Sequence, residues 1–439
     1  MLVIISLLLI FSMIYLLLKN KLAPVAAFAI LPIIAALLLG TPIETLMEWL
    51  KAGVGTTTTN AVLFIFSIIY FGVMSDAGLF DKLVNQLVKI AGKSPVLIYV
   101  ATVLIALVAQ LDGATATTYL ITIPAMLPIF KRLKLNILAM LAVIGVTTGV
   151  FNMVPWGGTV VRTATSLTNL GFEITAQDIW LKIIPLQIVG LGLAIGLAVF
   201  FGLRDKKRIT KEFGANFFNE IVTEKTENNL DVDSLKRPRL LIVNMLLTAL
   251  IIFVLIKTKF PQHLVFMVGT ALALVINYPG LKEQSARISA HAATAIGTAA
   301  TFLAAGIFLG VFKEAGMTKA LADLVISGLP NFLLPQVHRM IGLFGSAVGI
   351  VISPDLYYYS LLPVIGEVSN SLGVHLPNVG IAMLIGENVG VIISPVIPTT
   401  FLAIGLAGVE LKDHIKFSLK YFLLVTAVLL SVAILMGIA

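Results

Sequence analysis

The stretch "LDGATATTYLITIPAMLPI" (residues 111–129) places one carboxylate and four threonine hydroxyls inside an apolar run. A charge near the centre of a bilayer costs at least about 2.5 kcal/mol, so Asp112 needs a reason to be there. Asp112 and Gly113 predict a turn between two short arms, 96–109 and 117–130, and Thr115, Thr117 and Thr118 are predicted to cap the second arm. Arms of this length are typical of a re-entrant hairpin.

The rest of the chain is equally apolar, with 439 residues of which 59% are hydrophobic and 12% charged. Runs such as "LVIISLLLIFSMIYLLL" (residues 2–18) predict helices that span the lipid bilayer, since barrel strands would alternate. The chain has no cysteine, which excludes disulfides and thiolate metal sites. The net charge of +8 is explained by membrane topology, and we predict no nucleic-acid partner.

Two parts of the chain resemble each other at a constant offset of 238 residues. Lys19 precedes Lys257 by this offset, and the pair Gly72 and Val73 matches Gly310 and Val311. Such agreement in separated regions indicates a duplicated unit.

Each repeat is predicted to contain five spans, one hairpin and one broken helix. The first repeat is predicted over 1–205, with a hairpin at 96–130 and a broken helix at 137–168. A connector follows at 206–238, and the second repeat covers 239–439, with a hairpin at 338–370 and a broken helix at 378–408. Since five is odd, the second repeat is inverted. The predicted fold class is an all-α membrane protein, an inverted-repeat transporter with about ten spanning helices, two re-entrant hairpins and two broken helices.

The distribution of positive charge predicts the orientation. With the N-terminus outside, one face holds 22 of the 30 lysines and arginines. The positive-inside rule makes that face cytoplasmic. Both termini are therefore predicted outside, and the connector 206–238 is predicted to be cytoplasmic.

The second hairpin has its own acidic turn, formed by Ser353, Pro354 and Asp355 before three tyrosines. Helices that begin at such turns direct unsatisfied N–H groups at the tip, which suits an anion. The alternative is that Asp112 and Asp355 only cap their own arms. Proline and glycine interrupt both long helices, at Pro155 and at Pro395 with Pro398, and free backbone groups there can bind a carboxylate or a cation.

Two further charges lie in the broken helices. Arg162 offers a planar fork for a carboxylate, or else forms an ion pair with Asp112 or Asp355. Glu387 is a candidate for proton uptake, because removal from water disfavours a charged carboxylate. The predicted substrate-binding residues are Asp112, Gly113, Thr115, Thr117, Thr118, Asn152, Gly157, Gly158, Arg162, Ser353, Asp355, Tyr357, Asn388, Ser394, Thr399 and Thr400. The predicted proton-coupling residues are Glu387, Asp112 and Asp355.

Four stretches in this order resemble the citrate-metal-proton symporters, a branch of the ion transporter superfamily. They are "LDGATATTYLITIPAMLPIFKRL" (111–133), "NMVPWGGTVVRTAT" (152–165), "SPDLYYYSLLPV" (353–364) and "IGENVGVIISPVIPTTFLAIGLAGVEL" (385–411). The resemblance implies a scaffold and a transport domain, a homodimer in the cell (inner) membrane, and uptake of citrate complexed to Mg²⁺ or Ca²⁺ by proton symport. It implies no permanently bound cofactor, and an elevator-type or alternating-access movement.

A magnesium or calcium ion carried with citrate prefers oxygen ligands, which Asp112 and Asp355 supply. The first hairpin has Ala114 where the family pattern often carries a second acid, which leaves open a changed metal preference or a substrate without metal. Two other functions remain open: a sodium-coupled di- or tricarboxylate carrier or an arsenite or cation efflux protein of the same superfamily, and a membrane-embedded hydrolase using Asp112 and Asp355 as a dyad.

Overall fold

The computed structural model describes residues 1–19, 21–79, 81–214, 217–220, 234–258, 260–394 and 397–439. Within these ranges all regular secondary structure is helical, as the sequence predicts for an all-α membrane protein. Pro395 and Lys259 lie outside the described residues, as do residues 215–216 and 221–233 of the predicted connector.

The helices follow each other in the same order in the two halves. The first half forms α1 (Leu2–Leu18), α2 (Pro24–Leu38), α3 (Ile43–Asp76), α4 (Asp81–Ala91), α5 (Pro95–Ala109), α6 (Thr115–Arg132), α7 (Ile137–Phe151), α8 (Gly158–Asn169) and α9 (Ala176–Phe213). After α10 (Phe217–Glu220), the second half forms α11 (Leu241–Lys257), α12 (Gln262–Asn277), α13 (Leu281–Glu314), α14 (Met317–Gly328), α15 (Val337–Val351), α16 (Pro354–Leu356), α17 (Leu362–Ser371), α18 (Leu376–Gly390), α19 (Pro398–Ala407) and α20 (Leu411–Leu435).

Seven helical stretches of the described chain are long and apolar enough to cross a membrane. They are Ile43–Asp76, Pro95–Asp112, Ala176–Phe213, Pro238–Leu255, Leu281–Glu314, Leu376–Ile393 and Leu411–Leu435. Four shorter apolar helices, α1, α2, α7 and α12, accompany them. The first hairpin arm is longer than predicted, because a 3₁₀ turn at Gln110–Asp112 extends α5.

The two longest matching helices of the halves, α3 and α13, pack against each other and run antiparallel. Near one end the backbones touch, since a methyl group on Gly53 would lie 2.8 Å from the Cα of Gly310. Near the other end Asp76 pairs with Arg287 at 3.1 Å. Opposite directions are what an inverted duplication requires of equivalent helices. The division into two repeats remains a prediction.

The hydrophobicity pattern predicts spans over about 57–76 and 294–313, but these two helices begin earlier, at Ile43 and Leu281. The run of threonines in α3 does not end the helix, because the hydroxyls bond within it. Thr56 donates to the Gly53 carbonyl at 2.7 Å and Thr58 to Val54 at 2.8 Å. Threonine can therefore continue a helix while satisfying its own hydroxyl.

The helices pack in two groups. The scaffold group consists of α1–α3 and α11–α13, and the hairpin group consists of α5–α9 and α15–α20. At the centre of the hairpin group α18 is buried on nearly every side, in contact with α7, α8, α15, α17 and α20. A helix that is apolar all round belongs in a core. The groups meet where α3 and α13 contact α8 and the hairpin tips.

The first residues of the predicted connector, 206–213, belong to helix α9. Helix α9 continues to Phe213, held by the buried Asp205. The Asp205 carboxylate accepts hydrogen bonds from the Tyr99 hydroxyl at 2.8 Å and the Asn136 amide at 2.7 Å. These bonds attach α9 to α5 and to the start of α7.

Candidate functional site

The first hairpin tip is a tight turn that packs against the non-helical segment between α7 and α8. Gly113 has a φ of 73°, a conformation that glycine adopts readily. The Asp112 carboxylate accepts from the Ala114 amide at 2.7 Å. The Trp156 indole donates to the Leu111 carbonyl at 3.0 Å. The tip is therefore fixed to the break that follows α7.

The predicted capping of α6 by its threonines is wrong. The helix begins at Thr115 with Ala114 at the N-cap position, so Thr115, Thr117 and Thr118 lie within its first two turns. Asp112 bonds the Ala114 amide just before the helix, and no side chain caps α6 itself. A carboxylate beside a helix N-terminus is stabilised by the same unsatisfied N–H groups.

A chain of amide side chains joins the first hairpin to both broken helices. Thr118 donates to Gln110 at 2.6 Å, Gln110 donates to Asn152 at 3.3 Å, and Asn152 donates to Asn388 at 3.0 Å. All four side chains are buried. We call these four residues the amide chain. The structure thus brings together Thr118, Asn152 and Asn388, which the sequence placed in three separate segments.

The second hairpin tip contacts the same broken helix through an ion pair. Arg162 Nε lies 2.6 Å from Asp355 Oδ1, and both side chains are largely buried. Of the two carboxylates that the sequence offered to Arg162, the structure selects Asp355. Ser353 caps α16 by accepting from the Leu356 amide at 3.4 Å, as the predicted turn requires.

The Arg162 guanidinium retains most of its donors. Among the described residues only its Nε makes a hydrogen bond to protein. The ring of Phe302 lies 5.0 Å from Cζ, and a methyl group on Gly158 would meet Nη1 at 2.5 Å. The absence of a side chain at Gly158 therefore leaves room for the guanidinium fork. A bidentate carboxylate contact remains available to the free nitrogens.

Glu387 is fully buried beside this centre. Its Oε2 accepts from the Tyr358 hydroxyl at 2.8 Å. Its Oε1 has no partner in the described structure, and neither does the Nδ2 of Asn388 or the Tyr359 hydroxyl. Unpaired buried polar atoms are costly, so such a cluster is typical of a place where a ligand or a proton is received.

Two of the remaining predicted residues, Tyr357 of the second hairpin and Thr400 of the second broken helix, donate to backbone carbonyls. Tyr357 donates to the Met383 carbonyl at 3.2 Å, and Thr400 donates to Ile392 at 3.2 Å. Ser394 is buried just after the 3₁₀ turn Val391–Ile393, and Thr399 is half-buried at the start of α19. Gly157 is the N-cap residue of α8.

The sequence pattern did not single out three contributors to this centre, namely Gln110, Tyr358 and Phe302. Gln110 ends the apolar run of α5 directly before the turn, so a carboxamide in an apolar segment was the available signal. Tyr358 and Phe302 are ordinary core residues by pattern. Their roles depend on contacts with Glu387 and Arg162 that are distant in sequence.

A cavity of about 700 Å³ lies between the two groups of helices. It is lined by Thr56, Thr59 and Asn60 of α3, by Thr165 and Thr168 of α8, and by the turn between α11 and α12. Thr165 is three residues beyond Arg162, a rise of about 4.5 Å along a helix. The described residues contain no group of three or more histidine, aspartate or glutamate side chains able to hold a metal ion.

Comparison with known proteins decides the family. The sequence profile described as "Citrate transporter" matches residues 7–386. The chain belongs to this citrate transporter (CitMHS) family. A protein named "Citrate transporter" from Bacillus subtilis is 34% identical, covering 97% of this chain and 96% of its own. Another from that organism, named "Mg(2+)/citrate complex secondary transporter", is 30% identical, covering 100% and 99%.

This family member is therefore an integral membrane transporter and not an enzyme, which removes the hydrolase alternative. Solved structures support the fold. The YdaH transporter of Alcanivorax borkumensis superposes with a TM-score of 0.60 at 17% identity, covering 90% of each chain. MtrF of Neisseria gonorrhoeae gives 0.60 at 15% identity, covering 88% of this chain and 83% of its own.

Proposed function

We propose that this protein imports citrate as a complex with a divalent cation such as Mg²⁺, by proton symport. The observation that carries the proposal is the convergence of both hairpins and both broken helices, through the amide chain and the Arg162–Asp355 pair, on one polar centre. A relative is named for transport of the magnesium–citrate complex. Membership of the citrate transporter family supports citrate as the substrate.

The chemistry of the centre suits such a complex. Citrate bound to a dication carries about one negative charge, and Mg²⁺ and Ca²⁺ prefer oxygen ligands. Arg162 supplies a positive fork for a carboxylate, and Asp355 and Asp112 supply carboxylate oxygens for the metal. The Nδ2 of Asn388 supplies a further donor for the substrate.

Glu387 is the proposed proton acceptor. Its carboxylate is fully buried, and it lies within electrostatic reach of both Arg162 and Asp355. With Asp355 nearby, the negative charge of Glu387 is compensated either by a proton or by Arg162. When the substrate binds Arg162, only a proton can neutralise Glu387. Proton uptake and substrate binding are thereby coupled.

Transport is proposed to occur by movement of the hairpin group against the scaffold group. The cavity between α3 and α8 supports this, because it lies at the boundary of the two groups. The proposed orientation places the connector in the cytoplasm and both termini outside, in the cell membrane, and a homodimer is the proposed assembly.

The test is uptake of labelled citrate into proteoliposomes. We expect uptake with Mg²⁺ and an inward proton gradient, little uptake with EDTA, and no requirement for Na⁺. Uptake driven by a sodium gradient and unaffected by EDTA would instead identify a sodium-coupled carboxylate carrier. Empty liposomes and an Arg162→Gln variant are the controls.

A further inference from the structure

The Arg162–Asp355 pair lies where the proposed substrate would bind, with its carboxylate at Arg162 and its metal at Asp355. The two side chains come from α8 and α16, 193 residues apart, and meet at 2.6 Å in a largely buried position. One bond is made through Nε, and the other guanidinium nitrogens have no protein partner in the described chain. Each charge is thus neutralised by the other when no ligand is present.

We infer that this ion pair makes the site selective for a metal–carboxylate complex over either component alone. The inference rests on the proposed function. The ion pair would distinguish the metal–carboxylate complex from its separate components by their charge. A free polycarboxylate that engages Arg162 confronts Asp355, which is then an uncompensated negative charge. A free dication that engages Asp355 confronts Arg162 in the same way.

The complex satisfies both partners at once. Its carboxylate binds the guanidinium fork, and its metal accepts the Asp355 carboxylate as an oxygen ligand. Two charge contacts replace one, and no buried charge is left alone. Breaking a buried pair from one side is strongly unfavourable, so each single component binds poorly.

The surroundings maintain this exchange. The Phe302 ring at 5.0 Å holds the guanidinium in place when Asp355 leaves it. Glycine at position 158 leaves the space that Nη1 of the guanidinium occupies, since a methyl group there would lie 2.5 Å from it. Glu387 and Tyr359 lie within electrostatic reach of Arg162, so the local balance of charge is sensitive to every change in the pair.

The experiment is calorimetric titration of the purified full-length protein in nanodiscs with magnesium citrate, citrate in EDTA, or magnesium chloride. We expect the wild type to bind the complex at least about tenfold more tightly than either component. Asp355→Asn is expected to bind free citrate and the complex with similar affinity. Arg162→Gln is expected to favour Mg²⁺ alone and to weaken the complex.

Asp76→Asn is the matched control, because it removes a different aspartate–arginine pair, with Arg287. It should leave the ratio of affinities unchanged. If the single variants fail to fold, the double variant Arg162→Gln/Asp355→Asn leaves no lone charge and should bind the complex and free citrate with equal, weak affinity.

A double or Asp355→Asn variant that keeps the wild-type preference for the complex would overturn the inference while leaving citrate transport in place. A wild type that binds citrate in no form overturns the proposed function, and this inference with it. The two failures are therefore distinguishable.

Discussion

Asn152 donates a hydrogen bond to Asn388 across 3.0 Å. The two residues are 236 positions apart, and the bond joins the interruptions of the two broken helices. Each residue ends, or nearly ends, the first half of a broken helix, where backbone groups lack helical partners. The contact therefore fixes the two breaks relative to each other. It also aligns the free Nδ2 of Asn388 with a centre that contains Glu387.

We expect the two asparagines to act as a unit. Substituting either with alanine should weaken citrate binding, and the double variant should cost less than the sum, with a coupling energy of about 0.5–3 kcal/mol. Affinities measured by titration for wild type, Asn152→Ala, Asn388→Ala and the double variant give that energy. Strict additivity would show that the contact does not contribute to binding.

Gln110 is expected to be required for stability and for citrate uptake although it carries no charge. Gln110→Leu leaves the Thr118 hydroxyl without its acceptor and the Oδ1 of Asn152 without its donor, which should destabilise the fold by about 1–3 kcal/mol. Thermal unfolding measures the loss of stability, and citrate uptake measures the loss of transport. The control is Gln86→Leu, an exposed glutamine of α4, which should behave as wild type. Equal behaviour of the two variants would remove Gln110 from the site.

Glu387→Gln should separate substrate binding from proton coupling. Glutamine keeps an oxygen that can accept from Tyr358 but cannot take up a proton, so citrate should still bind and exchange. Accumulation driven by a proton gradient should be lost. Counterflow and gradient-driven uptake in proteoliposomes distinguish these steps, with the exposed Glu314→Gln as control. Normal proton-driven accumulation in Glu387→Gln would assign the coupling to another group.

Asp205 is expected to be a structural residue of high importance. Asp205→Ala removes the acceptor for the Tyr99 hydroxyl and the Asn136 amide, which should cost about 2–4 kcal/mol of stability. A lower unfolding temperature, with the affinity for citrate retained in the folded fraction, checks this. Asp413→Ala at an exposed position of α20 is the comparison. A stable variant with altered affinity would instead place Asp205 in the transport path.

The interruptions of the two broken helices and the hairpin turns were predictable because their causes are local. Proline, glycine and isolated polar residues within apolar runs mark the places where a membrane helix must stop, and Pro155, Gly113 and Ser353 lie at such places in the structure. The lengths of α3 and α13 were not predictable in this way. Their threonines bond within the helix, and residues 43–56 are held by packing of α3 on α13.

The sequence by itself determined that this is a helical membrane protein with polar groups at two turns and two breaks, since hydrophobicity and helix termination depend on residues close together in the chain. Only the tertiary structure decided that Arg162 pairs with Asp355 rather than Asp112, and that Gln110 joins Thr118 to Asn152. Those choices depend on which of several chemically suitable partners packing brings within hydrogen-bonding distance, and sequence spacing carries no information about that distance.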